Sequence, residues 1–350
     1  MVGESTDFFS KKVTLINVIL TFLIVLHHAK TPERWGLELT SSYGFIYWTH
    51  HVTLIGVPTF FFLSGLLFYR RCDFCEIERK LKSRIHSLLI PYLIWNCLFV
   101  GIFYIFAHIP MLHQKMNMGE VLGSPYEIVY SILNSRYTVL WFVKDLMIFC
   151  AFSAVIYLCV ERLRTSIIVF CITVLLAHGD GVGYEHPFLW LPIYLSGAIV
   201  GRHFLYDTNH SYHMIMHDAS QKVRSFYAIL MGTLLICLCI LSGLYGGEYT
   251  FVYRLVSPLL VWVTVDLVLR SYLQNHFIVK RWMSVMFFVF CTHQFVLNVV
   301  QKILVLKFPP TDTVLNVTFV GSAILVFVVL VKFACFLSRF KFYKYLSGGR

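Results

Sequence analysis

The chain has 350 residues, 58% of them hydrophobic and only 13% charged, with a formal net charge of +11. So little polar surface excludes a soluble globular protein and leaves no room for a sizeable soluble domain. The positive charge is read as membrane topology and attraction to anionic lipid, and nucleic acid is excluded as a partner.

Ten apolar segments are predicted to cross a bilayer of about 30 Å as helices. Their cores are 13–29, 46–69, 88–108, 138–160, 166–178, 187–205, 226–245, 251–270, 283–303 and 313–338, the fifth being short for a full crossing. The predicted fold class is all-α, a polytopic membrane helix bundle of about ten transmembrane helices forming one domain over 1–350. Loop charges test the count. Of the 29 Lys and Arg, Lys144 and Lys332 fall inside spans. Lys30, Arg34, Lys115, Arg136, Arg254, Lys302 and Lys307 fall on one side, and all the others on the opposite side. The positive-inside rule then places both termini in the cytoplasm. The first span is too long for a typical signal-peptide core and no small-x-small site follows it, so it is expected to stay in place.

The first span, VTLINVILTFLIVLHHA, ends in His27-His28. Hydrocarbon offers ring nitrogens no partner, so an ionisable group at this depth is a functional-site hypothesis. Asn17, Thr21 and His28 fall within roughly 40° of one another at about 100° per residue. His28 lies about 24 Å along the helix from Lys12, in the outer half of the membrane. A neutral His28 there suits proton abstraction from a hydroxyl, while snorkelling or an interhelical hydrogen bond is the structural alternative. His27 points about 100° away and fits that second role.

The second span carries GVPTFFFLSGLLFYRR, with Ser64-Gly65 near the cytoplasmic end. Gly65 permits close approach of a ligand or of another helix. Arg70 and Arg71 follow, and then Lys82 and Arg84 in a basic segment. Together they fit an anionic ligand arriving from the cytoplasm, such as the phosphates of coenzyme A, or else they only set topology. Cys72-x-x-Cys75 stands alone and is a weak metal signal. The external stretch of roughly 109–137 holds His113, Lys115, Glu120, Gly123, Pro125 and Arg136.

Lys144-Asp145 lies about 10 Å inside the fourth span. A charge pair there is costly unless satisfied or cavity-lining. Asp145 is a candidate for orienting His28, as a carboxylate orients an imidazole in hydrolase triads; a structural ion pair is the alternative. His210, His213 and His217 have helical spacing but no acidic or cysteine partner, so no metal is assigned. Asp266 is read as pairing with a basic neighbour. Gln294, Asn298 and Gln301 fall on one stripe of the ninth span, suited to a hydroxylated substrate or to interhelical hydrogen bonds.

In order, the pieces LIVLHHA, VPTFFFLSGLLFYRR, KLKSRIHSLLIPYLIWN, LWFVKDL and FCTHQFV resemble membrane-bound acyltransferase family 3. These are integral-membrane O-acyltransferases of bacterial cell-surface glycans, and the resemblance covers nearly the whole chain. It implies a cytoplasmic acyl-CoA donor, acetyl-CoA above all, and no permanently bound cofactor. It also implies a glycan or lipid-linked sugar acceptor on the outer side of the bacterial inner membrane. On this reading His28 and Asp145 are catalytic and Ser64, Gly65, Arg70, Arg71, Lys82 and Arg84 take the donor. Trp141, His293 and Gln294 take the acceptor. The family often has arginine eleven residues before its essential histidine; here Asn17 stands there. A transporter or flippase for a small polar or lipid-linked solute is the alternative reading.

Overall fold

A computed structural model describes residues 2–109, 124–136, 138–178, 186–205 and 221–349. His113, Lys115, Glu120, Gly123 and the histidines at 210, 213 and 217 lie outside the described residues. Every regular element among the described residues is helical. In chain order these are α1 (Val2–His27), α2 (Thr31–Arg34), α3 (Gly44–Thr53), α4 (Gly56–Tyr69), α5 (Ile77–Arg84), α6 (Ile90–Ala107), α7 (Pro125–Leu133), α8 (Trp141–Ala151) and α9 (Ser153–Val160). There follow α10 (Leu163–His178), α11 (Pro187–Ile199), α12 (Gln221–Tyr245), α13 (Gly247–Asn275), α14 (Met286–Lys307), α15 (Asp312–Leu337) and α16 (Tyr343–Ser347).

Local sequence explains several helix ends. Ser124 accepts a hydrogen bond from the Glu127 amide, with Pro125 in the first turn of α7. Thr311 does the same for Val314 at the start of α15. Such caps satisfy amides that lack an intrahelical partner. Lys80 Nζ reaches the carbonyls of Phe68 and Arg70 at 2.6 and 3.2 Å, placing a cation at the C-terminal end of α4.

Among the described residues, seven helical stretches are long and apolar enough to cross a membrane, and an eighth is added if α8 and α9 form one span bent by 67°. Among the described residues the expected count of ten is therefore not confirmed. α10 has 16 residues, about 24 Å of helix, short of the hydrocarbon thickness. α11 has 13 and runs into a π-helical turn, Val200–Phe204. The expected span 46–69 is kept as one stretch, Ser41–Tyr69, with a two-residue turn at Leu54-Ile55 between α3 and α4. The outward faces are apolar, with Ile229 on α12 69% exposed and Leu306 on α14 86% exposed. These are faces that water would not tolerate and lipid does.

The packing centre is the contact of α4 with α11. A Cβ on Gly65 would fall 2.1 Å from the Tyr194 carbonyl oxygen, and one on Gly197 1.9 Å from that of Phe62. The two backbones touch, as small residues allow between membrane helices. Phe61 is fully buried and stacks on Trp190 with ring centroids 5.2 Å apart. At the opposite flank, Lys12 of α1 pairs with Asp266 of α13 at 2.6 Å, its ammonium 3.3 Å from the Trp262 ring centroid. The two opposite charges face each other inside the bundle, as burial requires.

Gly197→Ala should destabilise the protein by about 1–3 kcal/mol, because the neighbouring backbone has to move. Gly101→Ala, with open space around the new methyl, should leave stability unchanged or raise it through helix propensity. Thermal unfolding in detergent measures both.

Candidate active site

α1 ends at His27, and His28 follows on a last helical hydrogen bond from its amide to Ile24. The imidazole Nδ1 of His28 lies 2.9 Å from the Ile24 carbonyl oxygen. A carbonyl can only accept, so Nδ1 carries the proton and Nε2 keeps its lone pair. His293 of α14 repeats the pattern one helix away. Its Nδ1 donates to the Phe290 carbonyl at 2.7 Å, and its Nε2 lies 3.4 Å from His28 Nδ1. That nitrogen is a second acceptor for the same His28 N–H. Two backbone carbonyls thus fix both rings and leave His28 with a basic nitrogen.

His28 is half-buried and lines two hollows of about 600 and about 890 Å³. Val139, Trp141 and Gln294 line both as well. The first holds Lys30, Arg34, His50 and Arg254. The second holds Ser135, Arg136, Thr138 and Asn298. Hydrogen bonds fold the turn before α8 into this wall. Ser135, in left-handed backbone at φ 54°, donates to the Tyr92 hydroxyl at 2.8 Å. Thr138 donates to Asn96 at 3.0 Å. Arg34 is held by the side-chain oxygens of Gln301, at 3.1 Å, and Asn298.

A third hollow of about 350 Å³ opens toward the other end of the bundle. Thr14, Asn17, Thr21, Ser64, Ser284 and Arg84 supply its polar walls, and Arg84 is the one charged side chain among the described residues lining it. Arg84 precedes a π-helical turn, Ile85–Leu89, and π turns recur at functional sites. Phe142 and Phe290 line both this hollow and the first outer one. Their ring centroids are 5.9 Å apart, and Phe60 packs 6.0 Å from Phe142. Three phenyl rings thus form a partition between the Arg84 cavity and the His28 chamber.

The structure sorts the expected site residues. His28, Trp141 and Gln294 share the outer chamber, and Ser64 and Arg84 share the inner cavity. His293 is fully buried, so it stands behind His28 and not against an acceptor. Asp145 is not the partner that orients His28. It is fully buried, it lines neither outer hollow, and it lies within electrostatic range of the Tyr92 hydroxyl. The Ile24 carbonyl and His293 fill the place expected of it. Gly65 faces the α11 backbone and not a ligand passage. The Arg70 guanidinium lies 3.6 Å from the Phe9 ring centroid. Burial, with Arg71 beside it, pushes Arg70 down to about 10, still charged at neutral pH. Arg71 is exposed, and Lys82 is exposed and paired with Glu78 at 2.6 Å. None of these four lines the inner cavity. His27 stacks on His50 at 4.2 Å and bonds Thr53 Oγ1 at 2.8 Å, the interhelical role expected of it.

Sequence reasoning missed Lys30, Arg34, His50 and Arg254 as walls of the chamber. One signal was present: a cation on the side that the positive-inside rule depletes needs some reason other than topology.

A family model described as "Acyltransferase domain" matches residues 12–335. The chain belongs to this acyltransferase family. It is similar to the succinoglycan biosynthesis protein ExoH of Rhizobium meliloti (strain 1021), 24% identical over 311 residues, which cover 81% of this chain and 77% of that protein. No solved structure matches. The family match and the apolar helices together make this a multi-pass membrane acyltransferase.

The partition can be probed with membrane-impermeant maleimide in a Cys75→Ser background, which removes an exposed thiol at the Arg84 end. Gln294→Cys should be labelled from outside intact cells, and Ser64→Cys only in inverted vesicles. Labelling of both from one side would mean that the hollows are continuous or the orientation is wrong.

Proposed function

We propose that the protein transfers an acyl group, most simply acetyl, from cytoplasmic acyl-CoA to a hydroxyl of a cell-envelope or exported glycan. The observation that carries this reading is the pair of opposed hollows meeting at one partition, with a cation in one and a basic imidazole nitrogen in the other. Membership of an acyltransferase family supplies the reaction class. The similarity to a succinoglycan biosynthesis protein favours a glycan as acceptor.

On this reading Arg84 meets a phosphate of coenzyme A at the cytoplasmic end, a charge-assisted contact. It takes on the task that an arginine in place of Asn17 performs in relatives. Asn17, Thr21 and Ser64 line the path of the pantetheine arm, and the thioester arrives at Phe142 and Phe290. The acceptor hydroxyl enters from outside, between Trp141 and Gln294. His28 Nε2 takes its proton, and the oxygen attacks the thioester carbonyl. The carbon–sulfur bond breaks, coenzyme A leaves as a thiolate, and the imidazolium returns the proton to it. The positive charge arising on His28 is shared with the Ile24 carbonyl and His293 Nε2, both acceptors toward Nδ1–H. That is the part a carboxylate plays in hydrolase triads.

Purified protein supplied with radiolabelled acetyl-CoA and a cell-envelope glycan extract should release free thiol and label glycan. His28→Ala should lower transfer by about 10²–10⁴-fold, the usual worth of a general base. Equal transfer by the variant and the wild type overturns the reading. For the donor, Arg84→Ala should raise the Kd for acetyl-CoA about tenfold, the loss of one charge-assisted hydrogen bond. Lys82→Ala should leave it unchanged, and equal effects from both would put the donor elsewhere.

A further inference from the structure

His28 faces more room than one sugar ring fills. It lines hollows of about 600 and about 890 Å³, and Val139, Trp141 and Gln294 line both. Each has the volume of a complete small-ligand site, about 300–1,000 Å³. A reacting hydroxyl needs only the place where the two meet, so the larger hollow is left over. Among the described residues lining it, Val139 is the one aliphatic side chain and the others are aromatic or polar. Tyr126 and Tyr130 stand one turn apart on α7 with their rings stacked, centroids 6.1 Å apart and planes at 28°. They are 71% and 46% exposed, so neither ring is used up in the core. Such rings offer an apolar face with a polar rim. A pyranose is built the same way, with C–H groups on its face and hydroxyls around its edge. From α14, Gln294 and Asn298 fall on one side of the helix and add amides to the wall. The Asn298 oxygen accepts from Arg34, which fixes the amide and leaves its N–H groups as donors. The wall between α6 and α7 is held firmly. Tyr92 donates to the Leu133 carbonyl at 2.6 Å and accepts from Ser135 at 2.8 Å, and Arg136 is tied back to Glu127 at 3.3 Å. Ser135 sits at φ 54°, which a residue other than glycine keeps only where its surroundings hold it. Strain of this kind gathers at ligand sites, and a wall fixed beforehand spares a ligand the cost of ordering it.

We propose that the larger hollow is a subsite for the sugar units adjoining the one that meets His28. Tyr126 and Tyr130 form its stacking platform, and Gln294 and Asn298 its hydrogen-bonding wall. The acceptor class is then an oligosaccharide or a longer glycan, and not a single sugar. The inference rests on the acyl-transfer reading for the word acceptor, although the subsite itself is a matter of binding. Tyrosines near a membrane surface also serve as interfacial anchors, a role that leaves glycan binding untouched.

Equilibrium dialysis of the purified full chain without any acyl donor keeps this test separate from catalysis. The probes are the monosaccharide and tetrasaccharide fractions from partial acid hydrolysis of the cell-envelope glycan extract. The wild type should bind the tetrasaccharides about tenfold or more tighter than the monosaccharides, the worth of two added aromatic contacts. Tyr126→Ala and Tyr130→Ala should each weaken tetrasaccharide binding about threefold to tenfold, the loss of one such contact, and leave monosaccharide binding unchanged. Tyr126→Phe, which keeps the ring, should bind tetrasaccharides as the wild type does. Tyr126 is exposed enough that its loss should not disturb folding, and thermal unfolding of each variant checks this. Equal binding of both fractions by the wild type, or binding of neither, overturns the proposal. So do alanine variants that bind tetrasaccharides like the wild type, which would make the tyrosines membrane anchors only, and variants that lose both fractions alike. Length-dependent binding by a protein that transfers nothing would keep the subsite and sink the enzyme reading. Transfer with no preference for length would do the reverse.

Discussion

Hydrocarbon gives a polar side chain no hydrogen-bond partner, and the arrangement of this bundle follows from that constraint. A polar group inside the spans is best served by a carbonyl of its own helix, a partner on another helix or a place facing a hollow. Lys12 finds Asp266, and His27 finds Thr53. Gln301 accepts from Arg34 and donates to Ser322 at 3.2 Å, tying α2, α14 and α15 together. Asn17, Ser64 and Gln294 line hollows instead. The polar residues thus mark both the joints of the bundle and the walls of its cavities, and His27, Thr53 and Arg34 serve as both.

Helix α4 shows how one element serves both needs. Gly65 turns its bare backbone to Tyr194, locking α4 to α11, while Ser64, about 100° around the helix, faces the inner cavity. Phe61 is sunk against Trp190, and its neighbour Phe60 belongs to the partition. The rigid contact and the cavity wall are built from adjacent residues, so the position of the cavity is set by the tightest packing in the molecule. The partition of Phe60, Phe142 and Phe290 then decides what the two cavities can exchange.

Some of the site was legible in the chain order. His28 stood out because an imidazole at the end of an apolar helix needs a partner, and its stripe with Asn17 and Thr21 follows from helical period alone. The pairing expected for Asp266 was likewise a matter of charge inside an apolar segment, and Lys12 supplies it. Asp145 does not orient His28, because it is buried within electrostatic range of the Tyr92 hydroxyl while the Ile24 carbonyl and His293 face the His28 Nδ1–H. The basic segment after α4 read as a uniform patch. Its members divide by direction: Lys80 caps α4, Arg70 covers Phe9, Lys82 pairs along its own helix, and Arg84 alone enters the cavity. Direction around a short helix with a π turn at its end is not visible in composition.

By itself the sequence determined the helical membrane class, the polar stripe of α1 and the histidine at its end, because apolar length and helical period are properties of neighbouring residues. It did not determine how many helices span, since α10 and α11 are short and only their burial or exposure gives them a place. Tertiary structure alone decided that His293, 265 residues away, backs His28. It also decided that Gly65 packs and does not bind, and that Lys30, Arg34 and Arg254 surround one hollow. These are adjacencies between distant segments, fixed by which helix backbones can touch and which polar groups must meet once lipid has replaced water.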